Sequence, residues 1–405
     1  MQNALIFSPG LDGHRQVYVF VIAHILQEIG FKVIIAANFD QKTINSFYIN
    51  KLKEKPDVTI LNTNNYADGG IGINLSELLL LQNKYKVDLT VFPEADNHIS
   101  LFISQIYIKK NKLRGRIVGI FMRPFYFYRP KFFLDKLRFL KHLPSRWNND
   151  EQLFYDFFLK QFPIVDVALS IDENFVYHQP HFKWLPDVFQ QYADLMAPIE
   201  NEEQRRWIER LEDFKKNNHE KFFFLYFGTS QYRRGYDFLL NLANKTDGCF
   251  IHCGLRNETL KFDYDTDKIR VELKKKEQLF ETDTFIEDSL SIEYFFKSIT
   301  HLVLPYRRFF GSSGVMLQAL TLGIPILSAD NGIIGRRIKN FHLGQTYAEK
   351  EAHGLSSEFN TFKQLNPQFF EKDLTHYMSF QSVDQLKNVL INSFTNSNLP
   401  VKKPF

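Results

Sequence analysis

The sequence predicts an α/β fold in two domains, each a parallel sheet layered with helices. Three observations carry this. The chain has 405 residues, more than one ordinary hydrophobic core organises. Residues 304–330, LPYRRFFGSSGVMLQALTLGIPILSAD, read as one strand–helix–strand unit. A strand ends at Pro305, a small polar turn spans Gly311, Ser312, Ser313 and Gly314, and an apolar helix runs from Val315 to Leu322. Gly323 stops that helix and a second strand covers Ile324 to Leu327. The third observation is that strand, glycine turn and helix recur in the same order near the start of the chain and at 221–242.

The turn at 311–314 falls at the carboxyl end of a strand and the amino end of a helix. Unpaired N–H groups and the positive end of the helix dipole converge there, which favours an anion. The alternative is a well-capped helix with no ligand.

Composition narrows the class. Apolar residues make up 44% of the chain, as in a globular protein, and Phe is unusually common at 42 copies. The two cysteines, Cys249 and Cys253, stand alone in a C-x3-C spacing. That argues against a zinc site or a disulfide framework and reads as buried strand thiols in a reducing compartment. The opening MQNALIFSPG lacks a secretory signal pattern, and no apolar stretch reaches the length of a membrane span. The expected location is cytoplasmic, with a peripheral place at the inner face of the cell membrane as an extension. Net charge is only +4, but residues 109–147 hold twelve Lys/Arg against one acid, so the remainder is about seven charges negative.

In the first half, Ala4 to Phe7 reads as a strand leading into a turn with Gly10, Gly13 and His14. This is not the G-x-G-x-x-G dinucleotide fingerprint. The glycines suit close approach of a ligand or of the opposite domain. His14 reads equally as a contact or as a surface or capping residue. The strand Leu89 to Phe92 runs directly into Glu94, Asp96 and His98. Open α/β sheets bind ligands at such carboxyl ends. Asp96 or Asn97 can also cap the following helix. After a strand at Ile117 to Phe121 comes the basic, aromatic stretch, with helical character from Lys131 to Leu143. It suits an anionic membrane surface or lipid-linked acceptor, a packed helix with a solvated basic face, or another polyanion. Strands follow at Ile164 to Ser170 and Phe182 to Leu185, and a helix near Glu203 to Phe214 marks the connection.

In the second half, a strand from Lys221 to Phe227 ends at Gly228, and Arg233, Arg234 and Gly235 precede a helix. An arginine fork matches diphosphate oxygens, and Arg234, beside the helix-opening glycine, is the better candidate. The strand Cys249 to Cys253 ends near Arg256. A last amphipathic helix covers Val383 to Phe394. The expected organisation is a first domain over 1–195, a second over 196–375, and a terminal segment over 376–405 packing back toward the first.

Together these residues resemble the GT-B glycosyltransferases, and within them the retaining family 4, or group 1, related to glycogen and sucrose synthases. The resemblance implies two facing Rossmann-like domains with a deep cleft, an acceptor-binding first domain and a donor-binding second. Gly228 and Gly235 match a phosphate-binding segment in which Thr229 replaces an Arg and Arg234 replaces a Lys. Arg233, Arg256 or Arg308 is a candidate for the lost cation. Gln318-Ala319 and Gly323-Ile324-Pro325 match the end of the donor segment. Gln318 stands where a Glu grips the ribose, and Phe310 where a Glu meets the donor sugar.

By resemblance, Ser312, Ser313, Gly314 and Val315 hold the donor phosphates, and the loop with Glu287 frames the base. Gly10 and Gly13 approach the diphosphate, and His98 meets the donor sugar. The implied reaction transfers a hexosyl group from a nucleoside-diphosphate sugar to an acceptor hydroxyl. That sugar is a co-substrate, and no other cofactor and no metal is implied. The acceptor is a saccharide, glycolipid or glycoprotein, and no nucleic acid is expected. With retention, the leaving phosphate takes the acceptor proton; with inversion, Asp96, Glu94 or His98 is the base. Alternatives remain: a nucleotide-sugar epimerase or a phosphorylase-like enzyme, and a scaffold of this fold that binds saccharide or partner without catalysis.

Overall fold

The computed structural model describes residues 1–8, 10–11, 15–39, 43, 46–63, 75–99, 101–102, 113–122, 165–188, 202–219, 221–256, 264–284, 286, 289–307, 309, 311–348, 356–365 and 371–401. They fall into two compact units, residues 1–194 with 380–405, and residues 195–379. The basic helical stretch expected over 131–143 lies outside the described residues.

The first unit contains β1 (Gln2–Ser8), β2 (Phe31–Ala37), β3 (Val58–Asn62), β4 (Leu89–Phe92), β5 (Arg116–Phe121), β6 (Val167–Ser170) and β7 (Phe182–Trp184). They form one sheet in the order β3–β2–β1–β4–β5–β6–β7, every pairing parallel. The apolar run of β1 is continuous because both of its faces are covered. Ala4 and Ile6 enter one core cluster with Val19, Phe20 and Ala23 of the helix Arg15–Glu28. Leu5 and Phe7 point the other way, toward Phe92, Phe102 and Phe121.

The helix Val383–Thr395 belongs to this unit. Ser382 caps it by accepting from the Gln385 N–H at 3.2 Å. Its Leu386, Val389, Leu390 and Phe394 complete the cluster around Arg15–Glu28.

The second unit contains β8 (Phe223–Phe227), β9 (Cys249–Cys253), β10 (Leu279–Glu281), β11 (His301–Leu304), β12 (Ile326–Ala329) and β13 (Gly344–Tyr347). Their order is β10–β9–β8–β11–β12–β13, again all parallel. Both cysteines are buried and unbridged in β9. The strand expected from Ile324 begins two residues later, at Ile326. Pro325 has no N–H to give the ladder, and its carbonyl instead accepts from Leu302 at 3.0 Å. The helix before it is Gly314–Thr321, one residue earlier at each end than expected. Among the described residues no helix is long and apolar enough to cross a membrane.

Candidate functional site

In the second sheet the strand order turns back between β8 and β11. Open α/β sheets leave a crevice at the carboxyl ends of such a strand pair, because the two outgoing connections diverge to opposite faces. The two loops leaving these strands here are joined to each other. The Arg307 N–H donates to the Arg233 carbonyl at 2.9 Å. Gly235, at φ +72°, lies so close to Pro305 that a Cβ would sit 1.9 Å from its carbonyl oxygen.

Arg234 lies on the last turn before Gly235 and reaches back over Gly228. A Cβ on Gly228, at φ +118°, would sit 1.9 Å from Arg234 Nη1. Gly228 therefore supplies both a left-handed backbone and the space for a guanidinium. Arg233 takes a different direction, with its guanidinium 5.9 Å from the centre of the Phe309 ring. Arg307 is committed elsewhere. It binds Asp237 through two 2.6 Å hydrogen bonds and lies 4.1 Å over the Tyr232 ring.

The second loop ends at the helix Gly314–Thr321. Ser313 caps it, its hydroxyl accepting from the Met316 N–H at 3.3 Å. Ser312 Oγ accepts from Arg337 Nη1 at 2.9 Å. Gly314, Val315 and Gln318 are half-buried on the helix itself. Tyr306 is buried between the loops. Burial pushes its hydroxyl pKa up, while Arg234, Ser313 and Arg233 pull it down.

Arg256 lies beyond the end of β9, where its N–H donates to Asp283 at 3.0 Å and its backbone bridges to Ser230. Glu287, Arg308 and Phe310 lie outside the described residues. Sequence reading missed Tyr306 and Arg337 as parts of this site. Arg337 had a signal: it follows Ile333 and Ile334 at helical spacing, on the face that buries Ile338. It is 1% exposed.

In the first sheet the order turns back between β1 and β4. The loop after β1 contains Gly10, which is buried and whose carbonyl accepts from the Ser8 hydroxyl at 2.8 Å. Gly13 and His14 lie outside the described residues. Arg15 joins this loop to the one after β4, its Nε donating to Glu94 at 3.1 Å. Glu94 is buried, and the Asn97 amide donates to the same oxygen at 2.5 Å.

Asp96 accepts from the Met122 N–H at 2.6 Å, beyond the end of β5. His98 is 1% exposed, and neither ring nitrogen has a hydrogen-bond partner among the described residues. It lies against the Phe7 and Phe92 rings, at 5.8 and 5.1 Å between centroids. Burial lowers its pKa to about 4, against the opposing pull of Glu94. At neutral pH it is an uncharged group able to donate one hydrogen bond and accept another, and a weak base.

No family model matches the sequence, and no curated protein matches it. Solved structures do match the fold. A glycosyltransferase from Rickettsia africae ESF-5 aligns over 98% of this chain and 99% of its own, with a TM-score of 0.62 and 12% identity. HepE from Anabaena, solved in complex with UDP, aligns over 97% of this chain and 99% of its own, with a TM-score of 0.64 and 11% identity. The UDP-GlcNAc 2-epimerase from Neisseria meningitidis, bound to UDP-GlcNAc, covers 97% and 99% at a TM-score of 0.55 and 11% identity. With two all-parallel α/β units and these structural neighbours, the chain has the GT-B fold shared by such glycosyltransferases.

Proposed function

We propose that this protein transfers a hexosyl group from a nucleoside-diphosphate sugar to an acceptor hydroxyl, with retention. The observation that carries the reading is Arg234, held over Gly228 where the second sheet turns back. In this reading the diphosphate lies between Arg234 and the N–H groups around Ser312, Ser313 and Gly314. These groups face the charge that grows as the glycosidic bond breaks. Arg233, directed at Phe309, and Arg256 stand at the margin. Gln318 hydrogen-bonds the ribose, and the leaving phosphate takes the acceptor proton. Arginine and helix N–H groups carry the phosphate charge, and no metal is invoked. HepE, solved with UDP and with UDP-glucose, makes a uridine donor the first to try. The setting proposed is bacterial glycan or glycolipid assembly, with a saccharide, glycolipid or glycoprotein acceptor.

The test is release of nucleoside diphosphate from a panel of nucleotide sugars. Arg234→Ala should cut the rate at least about tenfold, equivalent to about 1.4 kcal/mol of transition-state stabilisation. An unchanged rate removes Arg234 from the site. The likeness to the Neisseria enzyme favours epimerisation as the second reading. An epimeric sugar formed without any acceptor would establish it over transfer.

A further inference from the structure

Beneath the loop that holds Arg234, the second unit buries a polar cluster that the fold does not require. Glu281, on β10, is 5% exposed. Its carboxylate receives Arg270 Nε at 2.9 Å and Nη2 at 2.5 Å, Lys274 Nζ at 2.7 Å, and the Tyr236 hydroxyl. Burial alone would raise the Glu281 pKa, but donors from His252, Arg270, Lys274 and Tyr236 hold it well below the usual range. His252 Nδ1 stands 3.7 Å from the same carboxylate. His252 is fully buried on β9, between the rings of Tyr226 and Tyr236 at 5.3 and 4.9 Å.

The far side of His252 meets the loop. Its Nε2 donates to the Gly228 carbonyl at 3.0 Å. The Tyr226 hydroxyl donates to the next carbonyl, that of Thr229, at 3.3 Å. The Gly228 N–H donates to Cys253 at 2.7 Å and the Ser230 N–H to Leu255 at 3.0 Å. Two successive carbonyl dipoles are thus turned into the core. A carbonyl facing an anion repels it, and a loop free to rotate its peptides would present them.

We propose that His252 is a positioning residue for anion binding, which with Tyr226 locks the Gly228 and Thr229 carbonyls inward and so fixes the seat of Arg234. The proposal rests on the donor reading above and deepens it. The Tyr226 and Tyr236 rings flank the His252 imidazole and leave Nε2 facing Gly228. Arg270, Lys274 and Tyr236 saturate Glu281, so that the buried carboxylate does not compete for the loop.

The test compares UDP binding by calorimetry in the wild type, His252→Leu, His252→Gln, Arg234→Ala and the double variant His252→Leu/Arg234→Ala. Losing one oriented hydrogen bond should weaken UDP about tenfold in His252→Leu, and the Gln amide should restore most of it. In the Arg234→Ala background, His252→Leu should cost nothing more, because its effect passes through Arg234. An equal loss in both backgrounds means general destabilisation and overturns the proposal, as does no loss in either. Should His252→Leu fail to fold, Tyr226→Phe keeps the ring, removes one of the two clamps and is judged in the same cycle. Amide hydrogen exchange at residues 228–231 is read on the same proteins without ligand. Faster exchange in His252→Leu and Tyr226→Phe is expected, and unchanged exchange overturns the proposal. Wild-type protein that binds none of the nucleoside diphosphates fails the donor reading alone, and the exchange result then judges the clamp.

Discussion

His98 shows how burial sets the chemistry of a single residue here. Its ring sits against Phe7 and Phe92 with no hydrogen-bond partner among the described residues, and burial lowers its pKa to about 4. The unfolded chain takes up a proton near the ordinary value of 6.5. Between these values the unfolded state binds more protons, so stability rises with pH and is lost as pH falls through the window. At pH 5 the loss from this one group is about 2 kcal/mol. Urea unfolding of the wild type and His98→Phe at pH 5 and 7.5 measures it. The variant should lose that share of the acid sensitivity while keeping the share of His301, which burial also lowers to about 4. Equal slopes in the two proteins would mean that His98 is hydrated. Sequence reading found His98 because it follows a strand end. It could not find the Phe7 contact, since that ring comes from a strand distant in the chain.

At the scale of elements, legibility followed burial. Strands covered on both faces, such as β1, β8 and β11, are plain apolar runs of the kind a parallel sheet requires. Edge strands give no such run. β3 alternates between half-buried and exposed, β13 is Gly-Gln-Thr-Tyr, and β10 is three residues ending on the buried Glu281. Pairing with a neighbour, not composition, makes them strands. The switch points are also invisible locally, because strand order depends on which sheet edge each connection crosses to. The helix Val383–Thr395 was legible by its apolar stripe, and its docking is a matter of which core lacks a face. Leu390 is fully buried in the cluster around Arg15–Glu28. Leu390→Ala should therefore cost about 2–5 kcal/mol. Chemical denaturation checks this, and a cost near zero would show that the helix is dispensable to the first unit. UDP affinity should stay unchanged, since the proposed donor residues in the loops after β8 and β11 belong to the other unit.

At the scale of the whole molecule, the charge distribution bears on where the protein works. Residues 109–147 carry twelve cations and one acid in a chain whose net charge is only +4. A chain that needed charge only for solubility would spread it, because clustered like charges repel one another. The aromatic residues interleaved with these cations, in FYFYRPKFFLDKLRFLKHLPSRW, add the apolar component that interfacial binding requires. Each Lys or Arg near an anionic surface contributes about 1 kcal/mol, so the five at 129–141 would supply enough for the reversible attachment we propose. A glycolipid acceptor would then be met at the membrane, and binding would raise its local concentration without any change in the donor site. Flotation with vesicles containing anionic lipid should carry the wild type upward at low salt and release it as salt screens the charges. Glu in place of the Lys/Arg at 129–141 should abolish flotation and leave hydrolysis of the nucleotide sugar intact. If flotation and transfer to a lipid acceptor both survive those changes, the basic segment has no part in membrane attachment.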